Sequence, residues 1–366
     1  MEWLFSEDQD DYAEALGGWL DEKADIESVR SWFDSRDGGE IEAQLAETWG
    51  GVGIPEDVGG QGGGLVELAL TAEALGRHAV PSGRWLSTAI AVPALAGQAQ
   101  SAGRLIQRSG LALAVDSSHR PAALFDASDA VSTLPETDGD GRITGTVPRV
   151  LAGASATHFV VPTRGDGGLS LRLVEAEEAT VSTRVRKLLD RSREVADVTF
   201  HDAPSTALDV DAEQVIGRAD EVAAVLVSAD ALGASERMLE MAVDYSLIRH
   251  QFGVPIGSFQ AVKHAAASVK VDVEAARSVI YYAAAAVEAE QDGSALYVAT
   301  TKAQVGAGAA RAADSALTIH GAIGYTWEHD LHLFYKRTRL DAVLFGSADE
   351  WNRTLADSLD LIAASA

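Results

Sequence analysis

From about Glu213 onward the chain is rich in Ala, Leu and Glu and holds few residues that break helices. Long helices are expected over 221–246, 259–291 and 294–319, with a shorter one after Glu328 and another toward the C-terminus. That much uninterrupted helix limits the fold more than any other feature. Residues 6–108 have a similar character. Ser6 can cap a helix that opens with Glu7, Asp8 and Asp10, acids suited to an N-terminal dipole. Tyr12, Ala15, Leu16 and Leu20 then recur at helical spacing, and 40–49 and 65–75 repeat the pattern. Between these parts the texture changes. Short apolar runs at 111–115, 158–161, 169–174 and 198–200 are separated by Gly, Asp and Pro, which is the punctuation of strands and turns. The order is helix, then β, then helix. The expected fold class is α+β multidomain, mainly α, divided as 1–108, 109–208 and 209–366.

With 366 residues, 47% of them hydrophobic, the chain can bury a large core in two or three domains. Lys and Arg number 29 against 55 Asp and Glu, a formal net charge of -26. So acidic a surface argues against sequence-independent binding to nucleic acid, which depends on neutralising phosphates. It equally disfavours anionic lipid headgroups, although a local Arg can still dominate its own pocket. The absence of Cys rules out disulfides, thiolate metal sites and cysteine nucleophiles. The opening residues are acidic and no basic stretch leads into an apolar run, so no secretory signal is expected. No stretch of about 20 apolar residues suggests a membrane span, and a cytoplasmic location is the default. Gly59-Gly60-Gln61-Gly62-Gly63-Gly64 reads as a flexible loop between helices; no Lys-Ser/Thr follows it, which argues against a phosphate loop.

The densest chemistry lies in Arg249-His250-Gln251-Phe252-Gly253-Val254-Pro255-Ile256-Gly257-Ser258-Phe259-Gln260. A permanent cation, two amides and two aromatic rings flank a turn-forming Gly-Val-Pro-Ile-Gly between two expected helices. Arg suits a phosphate through paired hydrogen bonds, and Phe and Gln can hold a flat, hydrogen-bonding heterocycle. Together they suggest a dinucleotide held by side chains. The alternative is a charged helix end, a turn and two core Phe residues.

This run, followed by His264, resembles the Arg-x-x-Phe-Gly-x-Pro-Ile-x-x-Phe-Gln element of acyl-CoA dehydrogenases. Two further segments agree. Ile319-His320-Gly321-Ala322-Ile323-Gly324-Tyr325-Thr326-Trp327-Glu328-His329-Asp330 is similar to that family's His-Gly-Gly-x-Gly-Phe-Thr-Trp-Glu-His-Asp, and Trp49 to Gly60 to its Leu-Gly-Ile-Pro-Glu-x-x-Gly-Gly loop. The resemblance implies an N-terminal helical domain, a middle β-barrel and a C-terminal four-helix bundle. It also implies an FAD enzyme that removes a proton from the carbon beside an acyl-CoA thioester and a hydride from the next carbon. Arg249 would contact the FAD pyrophosphate with Gln251 nearby, Phe252 would pack on the cofactor, and Gln260 would reach toward the adenosine. Thr318, Gly321 and Ala322 would line the same end. In the family these elements serve the FAD of a neighbouring subunit. The alternative for Gly321 and Gly324 is that they only permit a tight turn.

Other family positions are not matched. The Thr-Glu-Pro-x-Ala-Gly-Ser-Asp motif is missing from 111–121. Arg149 stands where a Trp over the flavin would be, and Leu151 where a flavin-bonding Thr would be. Phe345 occupies the usual position of the catalytic base, and Ala223 the second known position. Asp230, seven residues after Ala223 on roughly the same helix face, is the nearest acid: a displaced base, or a capped or salt-bridged residue. Glu221 falls on another face. His320 and His329 read as core or interface hydrogen-bonders.

An intact cross-subunit element beside unmatched ring contacts implies a heteromer, α2β2, whose partner supplies the flavin-ring contacts and the carboxylate. Some bacterial acyl-CoA dehydrogenases for bulky steroid-like or polyketide-like acyl groups are split in this way, which implies lipid or steroid catabolism with electron-transfer flavoprotein as acceptor. The competing expectations are a homo-oligomeric dehydrogenase with Asp230 as base, a flavin-dependent monooxygenase, and a non-catalytic partner subunit.

Overall fold

Ser6 sets the first helix as its sequence predicts. In the computed structural model, which describes residues 4–96, 99–125, 134–165 and 168–358, the Ser6 hydroxyl accepts from Gln9 N at 3.2 Å and the Gln9 side chain accepts from Ser6 N at 3.0 Å. This reciprocal box starts α1 (Glu7–Lys23). Then follow α2 (Ile26–Ser35), α3 (Gly39–Trp49), α4 (Leu65–Arg77), α5 (Gly83–Ala91) and α6 (Ala99–Gln107). Strands β1 (Leu111–Leu113), β2 (Glu136–Thr137), β3 (Arg142–Leu151), β4 (His158–Gly165), β5 (Gly168–Glu175), β6 (Val181–Val185), β7 (Val195–Pro204) and β8 (Thr206–Ala207) come next. The C-terminal part holds α7 (Ala212–Ile248), the short strands β9 (His250–Gln251) and β10 (Val254–Pro255), α8 (Gln260–Glu288), α9 (Ser294–His320), α10 (Leu331–Asp341) and α11 (Ala348–Ser358). The fold is the mainly helical α+β class expected, with a curled half-barrel sheet in the middle and a helical C-terminal region.

The described residues fall into two compact units, one drawn from Met1–Ser35, Ala69–Val80 and Ala224–Ala366, the other from Arg36–Leu68 and Pro81–Ala223. In the helical unit α9 packs against α8, α10 and α11. Helices α8 and α9 form a hairpin whose short link ends at Gly293, φ 83. Helix α7 starts at Ala212, nine residues before the expected 221, because Asp211 caps it: its carboxylate accepts from Gln214 N at 3.0 Å. The later part of α4 crosses α7 backbone to backbone. A Cβ on Gly76 would lie 2.0 Å from Asp230 O, and one on Gly233 1.9 Å from Glu73 O, so neither position accepts a side chain.

Buried charges lock that crossing on both sides. Arg337, wholly buried, donates from Nε and one Nη to the two oxygens of Asp230 at 2.7 and 2.6 Å, and from the other Nη to Val80 O at 2.6 Å. On the other side Glu73 pairs with Arg277 and accepts from the Tyr281 hydroxyl at 2.5 Å. Burial raises the Glu73 carboxyl above its ordinary range despite the cation beside it, and raises the Tyr281 hydroxyl.

In the second unit the strands run β6-β7-β3-β2-β4-β5-β8, with β1 parallel to β4 at its side. Three of the four apolar runs read as strands lie wholly on strands, and the first, 111–115, lies on β1 as far as Leu113. Ile143, Val147, Val150, Phe159, Val161, Val198 and Phe200 fill the core, with Phe159 and Phe200 edge to face at 5.7 Å. The β3–β7 ladder shifts register between Val147 and Val150, and this bulge turns Arg149 out with φ 53. The glycine loop at 59–64 makes backbone contacts with 54–55: Ile54 and Gly62 pair as an isolated bridge, and Gly60 N donates to Pro55 O at 3.0 Å. Among the described residues no helix is long and apolar enough to cross a membrane.

Candidate flavin site

Helix α7 stops one residue short of Arg249, whose N–H still donates to Tyr245 O at 2.9 Å. The turn expected between the helices is a tight hairpin. β9 and β10 pair antiparallel through Gln251 and Val254, leaving Phe252 (φ 53) and Gly253 (φ 81) at the tip. A left-handed Phe costs about 1 kcal/mol, yet this ring buries nothing in return: Phe252 is 93% exposed. Phe259, part-exposed, stands edge-on to it at 6.1 Å. The alternative of two core Phe residues therefore fails for Phe252. Arg249, Gln251 and Gln260 are exposed too. Among the described residues nothing bonds to the Arg249 guanidinium.

The second motif reaches the same end of the helical unit. The buried His320 ring stacks on Tyr245 at 4.8 Å, and His329 meets it edge-on at 4.5 Å. His320 Nδ1 lies 2.7 Å from Ala316 O, the core hydrogen bond expected of it, and burial lowers its pKa. This stack ties the last turn of α7 to the last turn of α9. Gly321 follows with φ 65 and open space where a Cβ would point, and Thr318 and Ala322 are exposed. Arg30 clamps the next turn by donating to Glu328 O at 2.7 Å and pairing with Asp330. Around this end Leu247, Ile248, Val254, Ile323 and Tyr325 also expose apolar surface, more than isolated surface hydrophobics explain.

In the sheet unit the ring-contact positions are committed elsewhere. Arg149 Nε donates to Asp116 at 2.8 Å and to the Ser118 hydroxyl at 3.1 Å. The Ser117 hydroxyl donates to Arg149 O at 2.6 Å. Arg149 N donates to Asp197, which also accepts from Arg184 at 2.7 Å and Arg186 at 2.9 Å. Burial pushes the Asp197 carboxyl up, but the two arginines and the Arg149 amide outweigh it and bring its pKa to about 2. Burial likewise pushes the Asp116 carboxyl up, but the bonds from Arg149 and Ser118 outweigh it and hold its pKa below the ordinary carboxylate value. Leu151 is buried in the core and offers only its carbonyl, to the Ser87 hydroxyl at 3.1 Å. These residues do not fit an isoalloxazine: the cation is paired and the second position carries no donor.

None of the base positions supplies a usable carboxylate. Phe345 is buried, with φ 56 and its carbonyl accepting from the Trp351 indole at 3.0 Å. Ala223 is buried and inert. Asp230, weighed above as a displaced base, is the salt-bridged acid of the alternative, with both oxygens occupied by Arg337. The sequence gives no local sign of that pairing, nor of Arg149 with Asp116 and Asp197. Each joins residues that only the fold brings together.

Comparison with known proteins places this architecture. The acyl-CoA dehydrogenase C-terminal domain profile matches residues 215–359. The acyl-CoA dehydrogenase IpdE2 of Mycobacterium tuberculosis is 31% identical over 305 residues, covering 82% of this chain and 80% of IpdE2. FadE34 of the same organism, also an acyl-CoA dehydrogenase, is 35% identical over 305 residues; the match covers 83% of this chain but 39% of FadE34, so the chain spans about two fifths of that relative. The ChsE4–ChsE5 complex of M. tuberculosis superposes with a TM-score of 0.84 at 25% identity, covering 100% of both chains. The chain belongs to the acyl-CoA dehydrogenase family, oxidoreductases that act on acyl-CoA thioesters and use FAD as cofactor.

Proposed function

We propose that this chain is one subunit of a heteromeric acyl-CoA dehydrogenase, α2β2, and supplies the phosphate and adenosine contacts of an FAD whose ring and catalytic base belong to the partner subunit. One observation carries the reading. The Arg249 guanidinium has no partner among the described residues and Gln251, Phe252 and Gln260 are exposed, whereas the ring and base positions are filled by an internal ion network, Leu151, Phe345 and Ala223. Arg249 offers a guanidinium fork to the pyrophosphate with Gln251 beside it, Phe252 an aromatic face, and Gln260 an amide. Thr318, Gly321 and Ala322 line the adenosine end, where the bare Gly321 backbone permits close approach. The exposed apolar side chains around the hairpin are then the surface that the partner covers. FAD held by these residues and by the partner's would supply the hydride acceptor for oxidation of the acyl chain.

The ChsE4–ChsE5 complex, whose name gives it two different subunits, supports this arrangement by its likeness. On the same reading the assembly works in the cytoplasm in lipid or steroid catabolism, passes electrons to electron-transfer flavoprotein, and uses a chain divided near 108 and 208. The ion pair of Asp230 with Arg337 speaks against a homomeric enzyme using Asp230 as base. The test is flavin stoichiometry and dye-coupled acyl-CoA oxidation, measured on the chain alone and on the chain co-purified with its partner. Little FAD and no turnover are expected for the chain alone. Stoichiometric FAD with turnover from this chain alone overturns the proposal.

A further inference from the structure

The two stretches assigned to the dinucleotide are far apart in the chain: Arg249 to Gln260 follow α7, and Thr318 to Ala322 close α9. A ring stack joins the two helix ends. Tyr245, in the last turn of α7, lies face to face with the buried His320, the last residue of α9, with centroids 4.8 Å and planes 21° apart. His329 stands edge-on to both, 4.5 Å from His320 and 6.3 Å from Tyr245. The histidines are fixed from outside the stack. The Ala316 carbonyl can only accept, so His320 donates to it from Nδ1 at 2.7 Å. His329 Nδ1 accepts from Leu331 N at 3.2 Å, and Arg30 of α2 holds its neighbours through Glu328 O and Asp330. The turn after α9 folds back on the same ring: a Cβ on Gly324 would lie 3.0 Å from His320 Cβ. The Tyr245 side chain contributes a ring alone, because among the described residues nothing bonds to its hydroxyl.

Both contact sets hang directly from this stack. Arg249 N donates to Tyr245 O at 2.9 Å, and Gly321 is joined to His320 by a peptide bond. A ligand that touches two sites gains fully from both only where their separation is set in advance; otherwise binding must order them. We propose that Tyr245 and His320, braced by His329, are positioning residues for FAD. They hold Arg249 and Gly321 at the separation that a pyrophosphate and its adenosine require, and act through those two residues rather than on the cofactor. The role rests on the assignment of Arg249 and Gly321 to the dinucleotide. The property it selects is length: a dinucleotide that spans both contacts gains from the fixed separation, and a mononucleotide that ends at its phosphate does not.

The test is titration of the deflavinated complex, the chain co-purified with its partner, with FAD and separately with flavin mononucleotide, which lacks the adenosine. Tyr245→Leu keeps an apolar side chain but no ring. It should weaken FAD roughly tenfold and leave flavin mononucleotide unchanged. Tyr245→Phe keeps the ring and should bind FAD as the parent does. His320→Leu should match Tyr245→Leu, and the double variant should be no weaker than the worse single one, since either change already breaks the stack. Thermal melting identifies any variant that fails to fold, and Tyr245, being half-buried, gives the single variant that should keep it. Parent-like FAD affinity in folded Tyr245→Leu, an equal loss for both flavins, or a loss in Tyr245→Phe as large as in Tyr245→Leu overturns the proposal. Arg249→Ala separates it from the reading beneath it. Parent-like FAD binding in that variant removes the dinucleotide assignment and the positioning role together. FAD lost there, with parent-like binding in Tyr245→Leu, removes the positioning role alone.

Discussion

The two regions that the family uses for its flavin differ here in where their side chains spend their hydrogen bonds. At the end of the helical unit the Arg249 guanidinium has no intramolecular partner among the described residues, and Phe252 projects into solvent from a left-handed backbone. In the sheet, Arg149 has an equally unusual backbone, φ 53, but its guanidinium, its amide and its carbonyl are all engaged within the unit. Strained, unpaired side chains make sense where something outside the chain completes them. Strained side chains with every group satisfied make sense as part of the fold. The same residue type is thus external in one region and internal in the other.

Substitutions can break or sharpen that contrast. The largest effect is expected at Arg337, the most internal cation: Arg337→Ala leaves Asp230 buried without its counter-charge and should cost about 3–5 kcal/mol in denaturant unfolding. A loss under about 1 kcal/mol would show that the pair does not hold the helical unit.

Asp197 gives a pH-dependent version in the sheet. Its folded pKa of about 2 lies below its ordinary 3.8. It therefore contributes stability that is fully present above about pH 4 and lost as pH falls toward 2, on the order of 2 kcal/mol. Asp197→Asn should remove that part of the acid dependence and lower stability at neutral pH. An unchanged stability profile between pH 2 and 4 would contradict the network.

Arg149→Ala should cost about 1–2 kcal/mol, the lower part of the range for stranding Asp116, because the guanidinium is half exposed. It should leave FAD content of the assembled enzyme unchanged. Arg249→Ala should do the opposite: stability within about 0.5 kcal/mol of the parent, and FAD lost from the complex. If both variants lose flavin, the sheet has a cofactor role after all; if neither does, the hairpin has none.

Much of the architecture was legible because it rests on local chemistry. Ser6 and Gln9 are three residues apart and make the same capping box in any context. The strand runs carry their own periodicity, and the hairpin residues carry the family resemblance. Asp211 is equally local: its carboxylate reaches Gln214 N three residues on and sets the start of α7 ahead of the Ala- and Glu-rich stretch.

What the sequence could not show is which charges meet. Asp230 and Arg337 lie 107 residues apart, and Asp116 and Arg149 lie 33 apart. By type alone either acid could have been a base and either arginine a phosphate ligand. The element order, the helix caps and the hairpin after α7 were determined by residues within a few positions of each other, where hydrogen-bond reach follows from chain geometry. Whether a charged side chain faces inward to a partner or outward to a ligand was decided only by the packed structure, because burial and long-range pairing depend on distances that sequence spacing does not encode.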